Sequence, residues 1–132
     1  MPSSGHCLCG AVTYRFEGGI LWCAHCHCES CRRATASPFT TFIGVRRSGF
    51  AFSGAMPRNF QSSPGVTRWF CGNCGSPMGY ENALRPEQVD LYAATLDDPA
   101  SVEPQCHEHM DEKLPWIVLA DYLPGDNQKD RI

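Results

Sequence analysis

The fold turns on the stretch Cys7-Leu8-Cys9-Gly10-Ala11-Val12-Thr13-Tyr14-Arg15-Phe16. Its second half alternates, with Val12, Tyr14 and Phe16 on one face, so Cys9–Phe16 is expected to be a β-strand. In an extended chain Cys7 and Cys9 project to the same face. Cysteines this close seldom meet the Cα separation and torsion that a disulfide demands, whereas a metal ion favours them. The other half of such a site stands at Phe70-Cys71-Gly72-Asn73-Cys74-Gly75. A Cys-x-x-Cys turn points two thiolates to one side, and Gly72 and Gly75 allow the backbone angles that bring amides toward sulfur. A structural Zn2+ on Cys7, Cys9, Cys71 and Cys74 would clip the first strand to the middle hairpin. The competing reading of Cys-x-x-Cys, a redox pair, needs a βαβ context that this sequence lacks.

Working outward, further short apolar runs alternate between Gly, Pro and Ser breaks. Strands are expected at Ile20–His25, Phe39–Val45, Phe50–Ser53, Arg58–Gln61, Val66–Phe70, Met78–Glu81 and Val89–Ala94. One or two helical turns are expected over Glu29–Ala36, before Pro38. From Pro99 onward, Pro104, Pro115 and Pro124 imply extended segments and turns, with Gly125–Ile132 a loose polar tail. No linker or repeat divides the chain, so residues 1–132 are expected to form a single, mainly β domain.

Composition narrows the function classes. The 132 residues carry a formal net charge of −3 and 42% hydrophobic residues. That balance disfavours a general nucleic-acid binder and a disordered tail. The longest apolar runs, Ile20–Ala24 and Trp116–Ala120, fall far short of the roughly 20 residues that span a bilayer. The start lacks the pattern of a secretory signal peptide. Nine cysteines, an odd number grouped in tight clusters, suit a reduced, cytoplasmic metal-binding protein with neither nucleic-acid nor membrane partners.

The sharper motif is Cys26-His27-Cys28-Glu29-Ser30-Cys31-Arg32-Arg33. If a strand ends near Cys28 and a helical turn follows, Cys28 and Cys31 share a face, and with Cys26 they offer three thiolates. Three protein ligands and one open position is the arrangement of a catalytic zinc. A three-thiolate centre is a weak Lewis acid, suited to binding a substrate thiol. A closed structural site is the alternative, with Cys23, His25, His27, Cys106 or His107 as fourth ligand. Arg32 and Arg33 are candidates to hold a substrate carboxylate bidentately, with Arg68 a weaker candidate. Glu29 or His27 is a candidate to shuttle a proton.

Taken together, Cys7–Tyr14, Cys26–Arg33, Phe60–Ser63, Arg68–Pro77, Leu96-Asp97-Asp98-Pro99, Pro104, His107 and Trp116 resemble the glutathione-dependent formaldehyde-activating enzyme family, which also contains centromere protein V. The likeness runs from about Cys7 to Leu123, with Cys23 and Cys106 as departures. The resemblance implies a zinc-binding β-tent fold, similar to small zinc proteins that act on Rab GTPases. It implies a structural zinc on Cys7, Cys9, Cys71 and Cys74, and a second zinc on Cys26, Cys28 and Cys31 with glutathione nearby. The activity it implies is that of a carbon–sulfur lyase joining formaldehyde and glutathione as S-hydroxymethylglutathione. The fold's Rab-binding relatives suggest the other reading, a non-catalytic zinc module that binds a protein or peptide.

Overall fold

The computed structural model describes residues 3–126. Its strands are β1 (Ser3–His6), β2 (Val12–Phe16), β3 (Trp22–Cys26), β4 (Thr40–Arg46), β5 (Phe50–Gly54), β6 (Arg58–Ser63), β7 (Val66–Phe70), β8 (Pro77–Asn82), β9 (Gln88–Tyr92), β10 (Cys106–Glu108) and β11 (Gly125–Asp126). One helix, α1 (Glu29–Thr35), interrupts them. The mainly β architecture expected from the sequence is found. A three-stranded sheet has the order β1-β2-β5, and an eight-stranded sheet runs β11-β10-β3-β4-β9-β8-β7-β6.

Alternation along β4 shows how the large sheet is buried on both faces. Ile43 and Val45 project to one side and join Val12, Tyr14, Phe16, Met78, Val89 and Leu91 in a core facing β1-β2-β5. Phe42 projects to the other side and joins Cys26, Cys31, Tyr80 and Tyr92. Phe42 and Tyr92 pack with ring centroids 4.7 Å apart. Each such buried side chain contributes about 1.5–3 kcal/mol.

Four local expectations are corrected. The strand read as Cys9–Phe16 begins only at Val12, because Gly10 takes a left-handed φ of 80° and its N–H bonds the Cys7 carbonyl. Cys7 and Cys9 therefore lie in the β1–β2 turn, not along an extended strand, and β1 adds a strand that the pattern does not announce. Val89–Ala94 stops as a strand at Tyr92, where Ala93–Thr95 tighten into one 3₁₀ turn. The segment after Pro104 contains a further strand, β10, which pairs in parallel with β3. Only three residues long, it has too little alternation to register as a pattern. Gly125 and Asp126, read as the start of a polar tail, pair in parallel with β10; residues 127–132 lie outside the described residues. No helix among the described residues is long and apolar enough to cross a membrane.

Candidate functional site

Two turns meet to form the first sulfur cluster. Gly10 shapes the β1–β2 turn, and Gly75, at φ 80°, shapes the β7–β8 turn that carries Cys71 and Cys74. Leu8 N–H donates to Ser76 Oγ at 3.1 Å and ties the turns together. The Sγ atoms of Cys7, Cys9, Cys71 and Cys74 all lie within 4.8 Å of one another. Cys7 and Cys9 are 3.6 Å apart, and Cys9 and Cys71 3.8 Å. Four sulfurs about 2.3 Å from a central tetrahedral ion would stand roughly 3.8 Å apart. Backbone N–H groups of Val12, Asn73 and Cys74 point at the Cys7 and Cys71 sulfurs at 3.3–3.4 Å, and Asn73 Nδ2 donates to Cys9 Sγ at 3.2 Å. These donors favour thiolate over thiol. Hydrogen bonding from Ser76 lowers the Cys74 thiol to about 5. This donor set fits a thiophilic, tetrahedral metal ion.

The second cluster sits where β3 hands over to α1. Cys26 ends the strand, Cys28 caps the helix and Cys31 faces inward from its first turn. The Cys28 sulfur accepts from the Cys31 N–H at 3.3 Å, in the place where serine or aspartate usually caps a helix. Cys26 and Cys31 sulfurs are 3.6 Å apart, and the three sulfurs lie within 4.8 Å of one another. Proton sharing drives Cys28 down through its bonds with Cys26 and Cys31, and drives Cys26 up through bonds with Cys28 and Cys31. A strongly polarised trio of this kind also suits a metal ion.

Residues held open as a fourth ligand fall elsewhere. Cys23 projects from the opposite face of β3 into the first core, where burial and then Cys106 push its thiol up to about 11. His27 is fully buried, 2.9 Å from His107 through its Nε2. Burial and then His107 lower it to about 4. His25 and His107 stack on each other at 4.9 Å.

Cys28 opens onto a cavity of about 320 Å³ lined also by Ser62, Arg68, Tyr80, Asn82 and His109. Ligand pockets run from about 300 to 1,000 Å³. Arg68 is the cation here. It lies over the Tyr80 ring at 4.9 Å, donates through Nε to Ser62 Oγ at 3.1 Å, and leaves Nη1 buried without a hydrogen-bond partner. Burial opposes its charge, but the Cys31 sulfur and the Tyr92 and Tyr80 hydroxyls together outweigh that effect and raise its pKa. Arg32 and Arg33 do not share this cavity. With Cys31 turned inward, the 3.6-residue period carries the next two positions away from it. Arg33 pairs with Glu29 at 2.8 Å on the surface, and Arg32 Nε donates to the His27 carbonyl at 3.4 Å. Both border a separate hollow beside Pro38, Leu114 and Trp116. The Glu29 carboxylate and His27 likewise have their partners outside the Cys28 cavity. His109 escapes a reading of the sequence. It occupies the left-handed region at φ 57° and is 4% exposed; its Nδ1 stands 3.5 Å from Glu112 Oε2, beyond a good hydrogen bond, and its Nε2 has no hydrogen-bond partner. A histidine just past a strand too short to recognise carries no signal. A larger hollow, about 540 Å³ around Leu21, Arg46 and Gln88, contains no cysteine.

Known proteins resemble the chain in sequence and in fold. A protein of Schizosaccharomyces pombe, named only as an uncharacterized lyase, is 34% identical over 131 residues, covering 89% of this chain and 93% of its own. A crystal structure of a Rhodobacter sphaeroides protein superposes with a TM-score of 0.62 at 25% identity, over 76% of this chain and 91% of that one. The family described as glutathione-dependent formaldehyde-activating enzyme matches residues 2–112, which include both cysteine clusters, Arg68 and His109 but stop short of Trp116 and Asp121. With both sulfur clusters inside the matched stretch, the chain belongs to the glutathione-dependent formaldehyde-activating enzyme family.

Proposed function

We propose that this protein is a zinc-dependent carbon–sulfur lyase that binds glutathione or a related small thiol and forms or cleaves its S-hydroxymethyl adduct with formaldehyde or another small aldehyde. The observation that carries this reading is the opening of a three-cysteine cluster, through Cys28, onto a cavity with a buried, under-bonded arginine. Cys7, Cys9, Cys71 and Cys74 would hold a structural zinc, and Cys26, Cys28 and Cys31 a second one. Bound there, zinc would lower the pKa of an incoming thiol. Arg68 then serves twice. Its charge offsets the negative thiolate cluster, and its buried Nη1, which has no hydrogen-bond partner, would donate to a substrate carboxylate once the side chain turns toward the cavity. His109 and Asn82 supply polar groups for the aldehyde oxygen. The reaction is the addition of a thiol to formaldehyde, giving a hydroxymethyl thioether. The C–S bond forms, the carbonyl π bond opens, and the thiol proton ends on the new hydroxyl with no change of redox state.

Calorimetric titration of metal-replete protein with glutathione and S-methylglutathione tests this. Glutathione should bind saturably and S-methylglutathione, which cannot become a thiolate, at least tenfold more weakly. Arg68→Gln should weaken glutathione binding by about 1–3 kcal/mol, as for a lost hydrogen bond to a charged group, with metal content unchanged. Equal binding of the two ligands, or no binding of either, would replace this reading with a non-catalytic zinc module.

A further inference from the structure

Three features outside the cysteine centres invite a ligand. The hollow around Leu21 and Arg46 has no convergent buried polar groups. The group His109, Asp111 and Glu112 stands at the mouth of the site already described, and Glu112 already accepts from the Glu29 N–H. The third is a cluster on the far side of β3, built from β3, β10 and the C-terminal segment.

His25 and His107 are cross-strand partners in the parallel β3–β10 pair, and their rings stack at 4.9 Å with planes 30° apart. Each has one nitrogen held from behind. His25 Nδ1 lies 2.7 Å from Oγ1 of Thr41, its partner across the β3–β4 pair. His107 Nδ1 lies 2.9 Å from His27 Nε2. On the other side of the His107 ring, Nε2 is 2.8 Å from Asp121 Oδ2 and 3.1 Å from Oδ1. Asp121 is steadied by the Leu123 N–H, which donates to Oδ1 at 3.1 Å. One nitrogen of each histidine and one oxygen of Asp121 lie within 4.8 Å of one another.

We infer that His25, His107 and Asp121 form a third metal site, for a first-row divalent ion such as Zn2+, Co2+ or Ni2+. Two imidazoles and one carboxylate are borderline donors that suit these ions and do not suit Mg2+ or Ca2+, which demand oxygen. A ligating imidazole whose second nitrogen is held by another group has its orientation set in advance, and Thr41 and His27 fill that role here. His107 is 1% exposed, while the Asp121 side chain is 39% exposed, so the site is anchored in the sheet and reached from solvent on the Asp121 side. Because side chains alternate along β3, His25 faces away from Cys26, and the site is separate from the sulfur cluster. Its effect is to fasten the C-terminal segment, through Asp121, onto the sheet beside β10.

The test is Co2+ titration of the full-length, untagged, zinc-replete protein, followed by visible and near-ultraviolet absorption and equilibrium dialysis. One further equivalent per chain is expected, with weak d–d bands and no intense thiolate-to-cobalt charge-transfer band. Asp121→Asn, which keeps the side chain's shape at an exposed position, should weaken this binding at least tenfold, as should His107→Gln. Cys28→Ser should retain it, which separates this site from the sulfur centre whatever that centre proves to do. The inference is overturned by the absence of an extra equivalent, by a thiolate charge-transfer band growing with it, by its loss in Cys28→Ser, or by undiminished binding in Asp121→Asn. Should His107→Gln fail to fold by circular dichroism, Asp121→Asn decides.

Discussion

Asp90 shows how strongly position governs a single side chain. It sits on β9, 1% exposed, with Arg85 Nη2 at 3.1 Å as its partner. Burial outweighs the arginine and pushes the carboxyl up from 3.8 to about 7. The folded state therefore holds a proton that the unfolded chain releases at lower pH, and the stability associated with it is lost as pH rises through that window. The displacement corresponds to at most about 4 kcal/mol. Asp90→Asn should gain on the parent in urea-unfolding free energy between pH 5 and pH 7.5, and a pH-independent difference would rule this out. At Gly10 the constraint lies in the backbone. At φ 80°, with open space around its Cα, alanine would clash with nothing yet be strained. Gly10→Ala should cost about 1–2 kcal/mol by thermal unfolding, felt in the turn that carries Cys7 and Cys9.

At the scale of elements, α1 is short and depends on its cap. Glu29 and Arg33 pair one turn apart, and Ala36 closes the helix in the left-handed region with its N–H on the Arg32 carbonyl. At its N-terminus the Glu112 carboxylate accepts from the Glu29 N–H at 3.0 Å, and the Cys28 sulfur accepts from the Cys31 N–H. Serine is itself a good cap, so Cys28→Ser should keep the helix while losing one equivalent of metal by plasma emission. Cys28→Ala should lose the same metal and about 1 kcal/mol more of stability. If Cys28→Ser unfolds as readily as a variant of the first cluster, the second cluster is structural.

Across the whole molecule, the first cluster joins the small sheet to the far end of the large one, since Cys7 and Cys9 follow β1 and Cys71 and Cys74 follow β7. Cys9 is exposed, so Cys9→Ser removes almost no packing and isolates the worth of ligation. With a metal whose binding is folding free energy, this variant should melt well below the parent and lose one equivalent of zinc. The neighbouring Leu8→Ala, at a residue 87% exposed, should stay within about 0.5 kcal/mol of the parent. Matching melting temperatures for Cys9→Ser and Leu8→Ala would remove the metal from the account of stability.

What the chain itself determined is what depends on near neighbours. Alternation along Val12–Phe16, Val66–Phe70 and the run ending at Val45 was legible as strand, and Glu29–Ala36 as a short helix, because period and punctuation are local properties. The meeting of Cys7 and Cys9 with Cys71 and Cys74 was legible because half of a tetrahedral site demands the other half. Tertiary structure alone decided the rest. Arg68 belongs with Cys28, and not Arg32 or Arg33, because the β7–β8 pair lies across the cavity mouth, and no spacing in the chain records that. The side of β3 that Cys23 joins depends on where β3 ends, an offset of one residue that pattern cannot resolve. The juxtaposition of His25, His107 and Asp121 requires a three-residue strand to pair in parallel with one far earlier in the chain. Such a strand is held by its neighbours on both sides, so its own residues carry no mark of it.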